Sequence, residues 1–329
     1  MSKTIYSIYD NSPKTEQIST FLGQNSSPKI QLSGLVGSSI SFLIRSLFKK
    51  SELPFLLILN DKEEAAYFLN DLEQMVGDQD VLFYPASFRR PYQIEETDNA
   101  NVLLRAEVLN RINSRKKPAI IVSYPEALFE KVVTRKELDK NTLKVAVGDQ
   151  ISIDFINEVL FEYEFKRVDF ITEPGEFSVR GGIVDVFSFS NDNPYRIEFF
   201  GNEVDSIRTF DVATQLSLEQ QKKIAIIPNV ENKFLQENRE SFLDYISEKT
   251  VLFIQNTEGF LSQLDKQFAK AEEAFEKLSK DIKHATPEQL FLNQEQFIKR
   301  ALDFSVVELD SKPIFKTTKK VDFHIQPQP

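Results

Sequence analysis

The chain has 329 residues, with 40 basic against 50 acidic side chains and a formal net charge of −10. That length fits about two domains, and the acidic balance excludes a protein whose main task is to coat nucleic acid, because phosphate binding needs clustered Lys and Arg. Without Cys, and with only His284 and His324, disulfides, thiol nucleophiles, a zinc centre and a Ser-His-Asp triad lack raw material, whereas 29 Phe and 9 Tyr can fill a core.

Lys29 to Leu32 reads as a strand, followed by the small-residue loop Gly34 to Ser39 and an amphipathic helix from Ile40 to Phe48. Phe55 to Leu59 is a continuous apolar run of strand length, as in a strand buried on both faces of a parallel sheet. Asn60 or Asp61 is placed to cap a helix whose Ala65, Phe68, Leu69 and Leu72 share one face. Val81 to Tyr84 and Ala119 to Val122 are further strands, separated by a polar loop with Arg89, Arg90 and Pro91 and a helix from Asn101 to Asn113. Pro125 opens a short helix. Strand and helix in alternation predict a parallel α/β sheet with right-handed crossovers.

The texture changes near Thr142. Leu143 to Val147 reads as a strand and Asp149 to Phe161 as a helix. From Lys166 to Phe210 apolar and polar residues alternate between turns at Glu173-Pro174-Gly175, Gly181-Gly182, Asn191 to Pro194 and Gly201-Asn202, the pattern of an antiparallel sheet. A strand at Ile224 to Ile227, a helix from Glu231 to Ile246 and a strand at Val251 to Ile254 follow. A long helix then carries Leu261, Leu264, Phe268, Ala271, Phe275, Leu278 and Ile282 at spacings of three and four. Since about three heptads are the minimum for a coiled coil, packing on its own domain is the expectation. No apolar run reaches the roughly 20 residues of a membrane span, and the N-terminal stretch lacks a signal-peptide core, so a cytoplasmic location without a membrane partner is expected.

Gly34-Leu35-Val36-Gly37-Ser38-Ser39-Ile40-Ser41 has the context of a phosphate-binding P-loop, between a strand and a helix. Gly34 and Ser41 fit that pattern, but Ser39 replaces its second glycine and Ile40 its lysine. An isoleucine cannot neutralise the β- and γ-phosphates, and no Asp is followed by Glu anywhere in the chain to serve magnesium. The expectation is a degenerate loop, at most a weak anion nest, with no catalytic residue, cofactor or metal in this chain. In the stretch from Phe177 to Phe187, Arg180 lies beside Gly181 and Gly182, so little shields its guanidinium. An exposed Arg suits a partner's carboxylate, and Arg167 is placed to reach the same surface. An ordinary hairpin with Arg180 paired to Glu176 or Glu198 is equally consistent. Phe187 and Phe189 share a face, so both are core or both are outward anchors; core is the expectation for Phe187. The basic clusters Ser87 to Arg90 and Arg115 to Lys117 are read as solvated loops.

These residues resemble the UvrB-homology module of bacterial transcription-repair coupling factors (the Mfd family). Arg180 to Phe187 and Tyr195 to Arg208 look like the family's R-G-x-h-[VL]-D-[IVL]-F and R-[IV]-E-F-F-G-x-E-[IV]-x-x-I-R signatures, with h an apolar residue, and Phe210-Asp211 and Ile227-Pro228 continue them. The resemblance implies a RecA-like parallel-sheet module interrupted by an α+β antiparallel domain: domain 1a at 1–141, domain 2 at 142–211 and domain 1b at 212–329. It implies that domain 2 docks onto the damage-recognition ATPase UvrA, with Arg180, Arg167, Gly181, Phe187 and Phe189 as candidate contacts. The degenerate loop, with Gly34, Gly37, Ser38, Ser39, Ile40 and Ser41, favours a coupling factor over UvrB, and the tyrosine-poor stretch Tyr84 to Asn99 departs from UvrB's DNA-probing hairpin. RNA polymerase and DNA contacts, ATP and magnesium are implied only for domains outside this chain, which resembles a fragment of an ATP-dependent translocase cut at the Gln326 to Pro329 linker. A C-terminal domain that masks the UvrA surface is part of the same expectation. Two other readings stay open. An ATP-dependent helicase half requires saturable ATP binding, and a DNA-binding module requires salt-dependent DNA affinity.

Overall fold

The computed structural model describes residues 2–23, 27–87, 92, 99–114, 117–189, 191, 193–228, 239–278, 285–309 and 312–325. They fall into two compact units, one of Met1–Glu96, Ser114–Val132 and Glu240–Pro329, the other of Thr97–Asn113 and Val133–Arg239.

In the first unit, apolar runs become the centre of a parallel sheet. Its order is Lys319–Asp322, Lys29–Ser33, Ser305–Glu308, Val251–Ile254, Phe55–Ile58, Ile120–Ser123, Val81–Phe83, and these pairings are parallel. Phe55 to Ile58 and Val251 to Ile254 are fully buried and run in register, Val251 opposite Phe55. Strands covered on both faces read as unbroken apolar runs, because neither side meets water. Asp61 caps the helix Lys62–Val76 by accepting from the Glu64 amide at 2.8 Å, and Ala65, Phe68 and Leu72 turn inward from it. The helix Thr257–Glu276 buries Phe260, Leu261, Leu264, Phe268 and Ala271. Its stripe is therefore used up in its own unit, as packing on the domain requires; Ile282 lies outside the described residues.

The helix expected from Glu231 to Ile246 is absent from the described part of that stretch, Arg239 onward. Arg239–Glu240 is extended, and a single turn, Phe242–Tyr245, starts at Ser241, whose hydroxyl accepts from the Leu243 amide. Ile246 is extended again and stops the helix.

The second unit carries a six-stranded sheet in the order Ser217–Gln221, Glu203–Phe210, Tyr195–Phe200, Ile183–Val186, Glu176–Arg180, Lys166–Arg167. It is antiparallel except that Lys166–Arg167 runs parallel to Glu176–Arg180. Val179, Val184, Ile197 and Ile207 stand opposite one another across four strands. The helix Ile153–Glu162 covers this apolar face: Ile156 and Leu160 are buried, and the Phe161 ring meets Phe177 edge-on at 5.2 Å. That helix begins later than Asp149, because Asp149 accepts from the Ala146 amide in the preceding turn and Ser152 provides the cap.

The anticipated boundary at residue 211 falls inside this unit. Ser217–Gln221 adds a strand to the same sheet, and Lys223–Ile226 pairs antiparallel with Leu143–Ala146, Ile224 opposite Val145. The strand assigned to the third part therefore closes the second, by a pairing between distant stretches that local pattern does not encode.

Candidate partner-binding site

Side chains alternate across strands, so the face opposite the apolar row can be built residue by residue. Ser178 stands opposite Asp185, Asp185 opposite Arg196, and Arg196 opposite Arg208; one step along, Arg180 faces Ile183 and Ile183 faces Glu198. One polar face thus gathers Arg180, Asp185, Arg196, Glu198 and Arg208.

Asp185 is its hub. Only 2% of its side chain is exposed, and it accepts from Arg180 Nη2 at 2.5 Å, Arg196 Nε at 2.7 Å and Arg196 Nη2 at 2.8 Å. Arg196 lies over the Phe210 ring at 4.3 Å, and its hydrogen bonds to Asp185 hold its guanidinium above the ordinary arginine value. A carboxylate shared between two guanidiniums fixes both, because charge-assisted bonds are directional and strong. Arg180 differs from Arg196 in access: its side chain is 41% exposed against 15%. Its guanidinium sits 5.2 Å from the Phe170 ring, and Nη1 reaches the Asp169 carbonyl at 3.5 Å.

Neither partner of the hairpin alternative is used. Glu176 is buried and accepts from the Thr172 amide and hydroxyl and the Glu173 amide, while Glu198 accepts from Arg208 and Ser206. Gly181 turns the chain at φ +59°, directly after Arg180. Arg167 is exposed but stands opposite Phe177 in the ladder, so alternation puts it on the apolar side of the sheet and not on the Arg180 face as expected. Phe187 and Phe189 do not face outward: they are 6% and 8% exposed. Phe187 packs with Ile171 and Phe210, and Phe189 meets Phe165 edge-on at 5.5 Å, so both belong to the core rather than to a docking surface. Sequence reasoning missed Asp185, Arg196 and the exposed Phe170 and Phe200. The alternation Arg196, Glu198, Phe200 was the available signal.

Three backbone amides of the degenerate loop are committed. The Val36 amide donates to Ser39 Oγ at 2.8 Å, the Ser39 amide to the Val36 carbonyl at 3.2 Å, and the Ile40 amide to the Gly37 carbonyl at 3.4 Å. An anion nest needs such amides free, so Val36, Ser39 and Ile40 are not available to the weak nest anticipated here. Ser41, the position that would hold magnesium in an intact loop, donates instead to Asp71 at 3.2 Å. Gly34, at φ +73°, is needed for close packing: a Cβ there would lie 2.5 Å from Asp322 Oδ1 and from the His324 amide. The Tyr9 ring stacks on Phe42 at 5.7 Å beside this loop. With Ile40 at the lysine position and Ser41 turned to Asp71, this loop offers no side-chain positive charge to a phosphate.

Tyr92, in the stretch set against UvrB's hairpin, is tied down. Its ring lies 5.7 Å from both Phe275 and Phe291, its hydroxyl donates to the Ala285 carbonyl at 2.8 Å, and burial raises its pKa. Arg89, Arg90, Arg115, Lys116 and Gln326 to Pro329 lie outside the described residues. Among the described residues no group of three or more His, Asp or Glu is arranged to hold a metal, and no helix is long and apolar enough to cross a membrane.

The sequence matches the family described as the UvrB interaction domain over residues 143–231, the stretch that includes the polar face. It is 33% identical over 198 residues to the transcription-repair-coupling factor of Bacillus subtilis, covering 60% of this chain and 17% of that protein. The factor of Myxococcus xanthus is 29% identical over 218 residues (64% and 18%), and that of Escherichia coli 27% over 197 residues (60% and 17%). The matched segment spans less than a fifth of the length of each relative. Residues 143–231 thus match the UvrB interaction domain, and the UvrB-like α/β fold around them is similar to the part of the transcription-repair coupling factors that the chain covers.

Proposed function

We propose that this chain is a non-catalytic adaptor whose antiparallel domain docks the damage-recognition ATPase UvrA and so brings nucleotide-excision repair to stalled RNA polymerase. The observation that carries this reading is Arg180: a guanidinium held in place by a buried carboxylate, yet 41% exposed on a domain of the UvrB-interaction family. Such an arginine pre-pays the entropy of ordering and offers its remaining N–H groups to a partner's carboxylate. Polymerase and DNA contacts, and ATP-driven translocation, belong in this reading to other parts of a longer protein.

The committed amides and the Ser41–Asp71 bond speak against the helicase-half alternative, which needs a triphosphate site. The DNA-binding alternative finds no support in a face where Arg180, Arg196 and Arg208 are each tied to Asp185 or Glu198.

Titration calorimetry with purified UvrA tests the proposal. Arg180→Ala should weaken binding by at least about thirtyfold, roughly 2 kcal/mol, the scale of an interface hot spot. Unchanged affinity in a folded variant removes Arg180 from the interface.

A further inference from the structure

The polar face ends in two aromatic side chains that the arginine reading leaves unused. Phe200 is 84% exposed and Phe170 65% exposed. A soluble protein gains by burying such rings, and isolated exposed apolar residues are ordinary; the placement of these two is what matters. Ile183 faces both Arg180 and Glu198, and Phe200, two residues beyond Glu198, returns to the same face. The irregularity in the neighbouring ladder inserts its extra residue, Asp205, into the strand Glu203–Phe210, so the alternation through Arg196, Glu198 and Phe200 is kept. The two hairpin turns, at Gly181-Gly182 and Gly201-Asn202, emerge at the same end of the sheet, joined by the Phe199 amide donating to the Gly182 carbonyl at 2.8 Å. Two strand spacings and two residues of rise put Phe200 about 12 Å from Arg180 along this face. Phe170 lies under the guanidinium itself, at 5.2 Å. Its loop is pinned by buried Glu176, which accepts from Thr172 and Glu173.

The arginines of the face differ in how far their carboxylate partners enclose them. Asp185 is shared by Arg180 and Arg196, Glu198 serves Arg208, and Glu203, opposite Phe200, accepts from Gln150, so Arg180 is the guanidinium of the trio with most surface left for a partner. We infer that Phe170, Arg180 and Phe200 form one docking surface, built to take an acidic segment of UvrA whose carboxylate meets Arg180 while flanking apolar side chains cover the two rings. Aromatic residues and Arg around a central anchor are the composition that interfaces select. The inference rests on the UvrA reading and adds to it the apolar half of the contact.

The test uses the 329-residue chain and purified UvrA in titration calorimetry, with circular dichroism confirming each fold. Phe200→Ala should weaken binding by about tenfold or more, and Phe170→Ala by about fivefold or more, on the scale of truncated aromatic anchors. Phe200→Leu, which keeps an apolar side chain, should recover most of the loss. Phe155→Ala, on the helix covering the opposite face, should bind as the parent does. If both ring truncations stay within about twofold of the parent while Arg180→Ala still weakens binding, the aromatic surface is wrong and the UvrA reading stands. If the parent chain itself does not bind UvrA, both fall.

Discussion

Replacing Asp185 by Asn probes the link between the fold and the proposed interface. The carboxylate accepts three charge-assisted bonds, at 2.5, 2.7 and 2.8 Å, with 2% of its side chain exposed. Breaking a buried ion pair from one side costs about 3–5 kcal/mol, because a charge is left without its counterpart. Two features reduce that here. Asn keeps one acceptor oxygen, and the Arg180 end of the cluster is 41% exposed, where water screens the loss. The Arg196 end is 15% exposed and feels most of it. The expected destabilisation is about 2–3 kcal/mol, measured by urea unfolding with the Arg196 environment reported by a probe in the antiparallel domain. The Asn amide would also point a donor at a guanidinium, so Arg180 should lose its fixed orientation and UvrA affinity should fall with it. A loss below about 0.5 kcal/mol, the range of an ordinary surface substitution, would refute the claim that Asp185 organises the face.

Gly175→Ala should destabilise the same domain by about 2–3 kcal/mol, since φ is +87° there and a Cβ would lie 2.5 Å from the Phe189 ring; chemical denaturation checks it. Lys29 provides a pH test in the parallel-sheet unit. Burial pushes its ammonium down to about 8, opposed by Asp303, while its Nζ donates to the carbonyls of Ala301, Leu302 and Phe304. The unfolded chain, with an ordinary lysine near 10.5, then binds the proton more tightly than the folded one, so stability should rise as pH climbs from about 8 toward 10.5 and lack that gain below 8. Lys29→Met should flatten the rise in thermal-unfolding curves taken across this range.

The parallel sheet was legible in the sequence because burial on both faces leaves unbroken apolar runs such as Phe55 to Ile58 and Val251 to Ile254. The antiparallel face was legible too, through alternation from Ile183 to Phe210. What failed was non-local. Nothing in Ile224 to Ile227 says that its partner is Leu143–Ala146, so local pattern alone puts the boundary at residue 211, short of that pairing. Local pattern offers Glu176 and Glu198 as partners for Arg180, but the turn 172–173 and Arg208 take those carboxylates, leaving Asp185. Phe187 lies on the polar side of the sheet by alternation, yet Ile171 and Phe210 cover it, a burial supplied by other segments. The lost P-loop lysine was visible at Ile40; that Ser39 also closes on the Val36 amide required the folded geometry.

Hydrogen–deuterium exchange of the whole chain with and without UvrA tests the docking claim most directly. Docking through the antiparallel face should slow exchange at residues 166–172, 178–185 and 196–203 and change little across the seven-stranded sheet. Binding that protects the parallel-sheet unit, and leaves those three stretches exchanging as in the free chain, would contradict it.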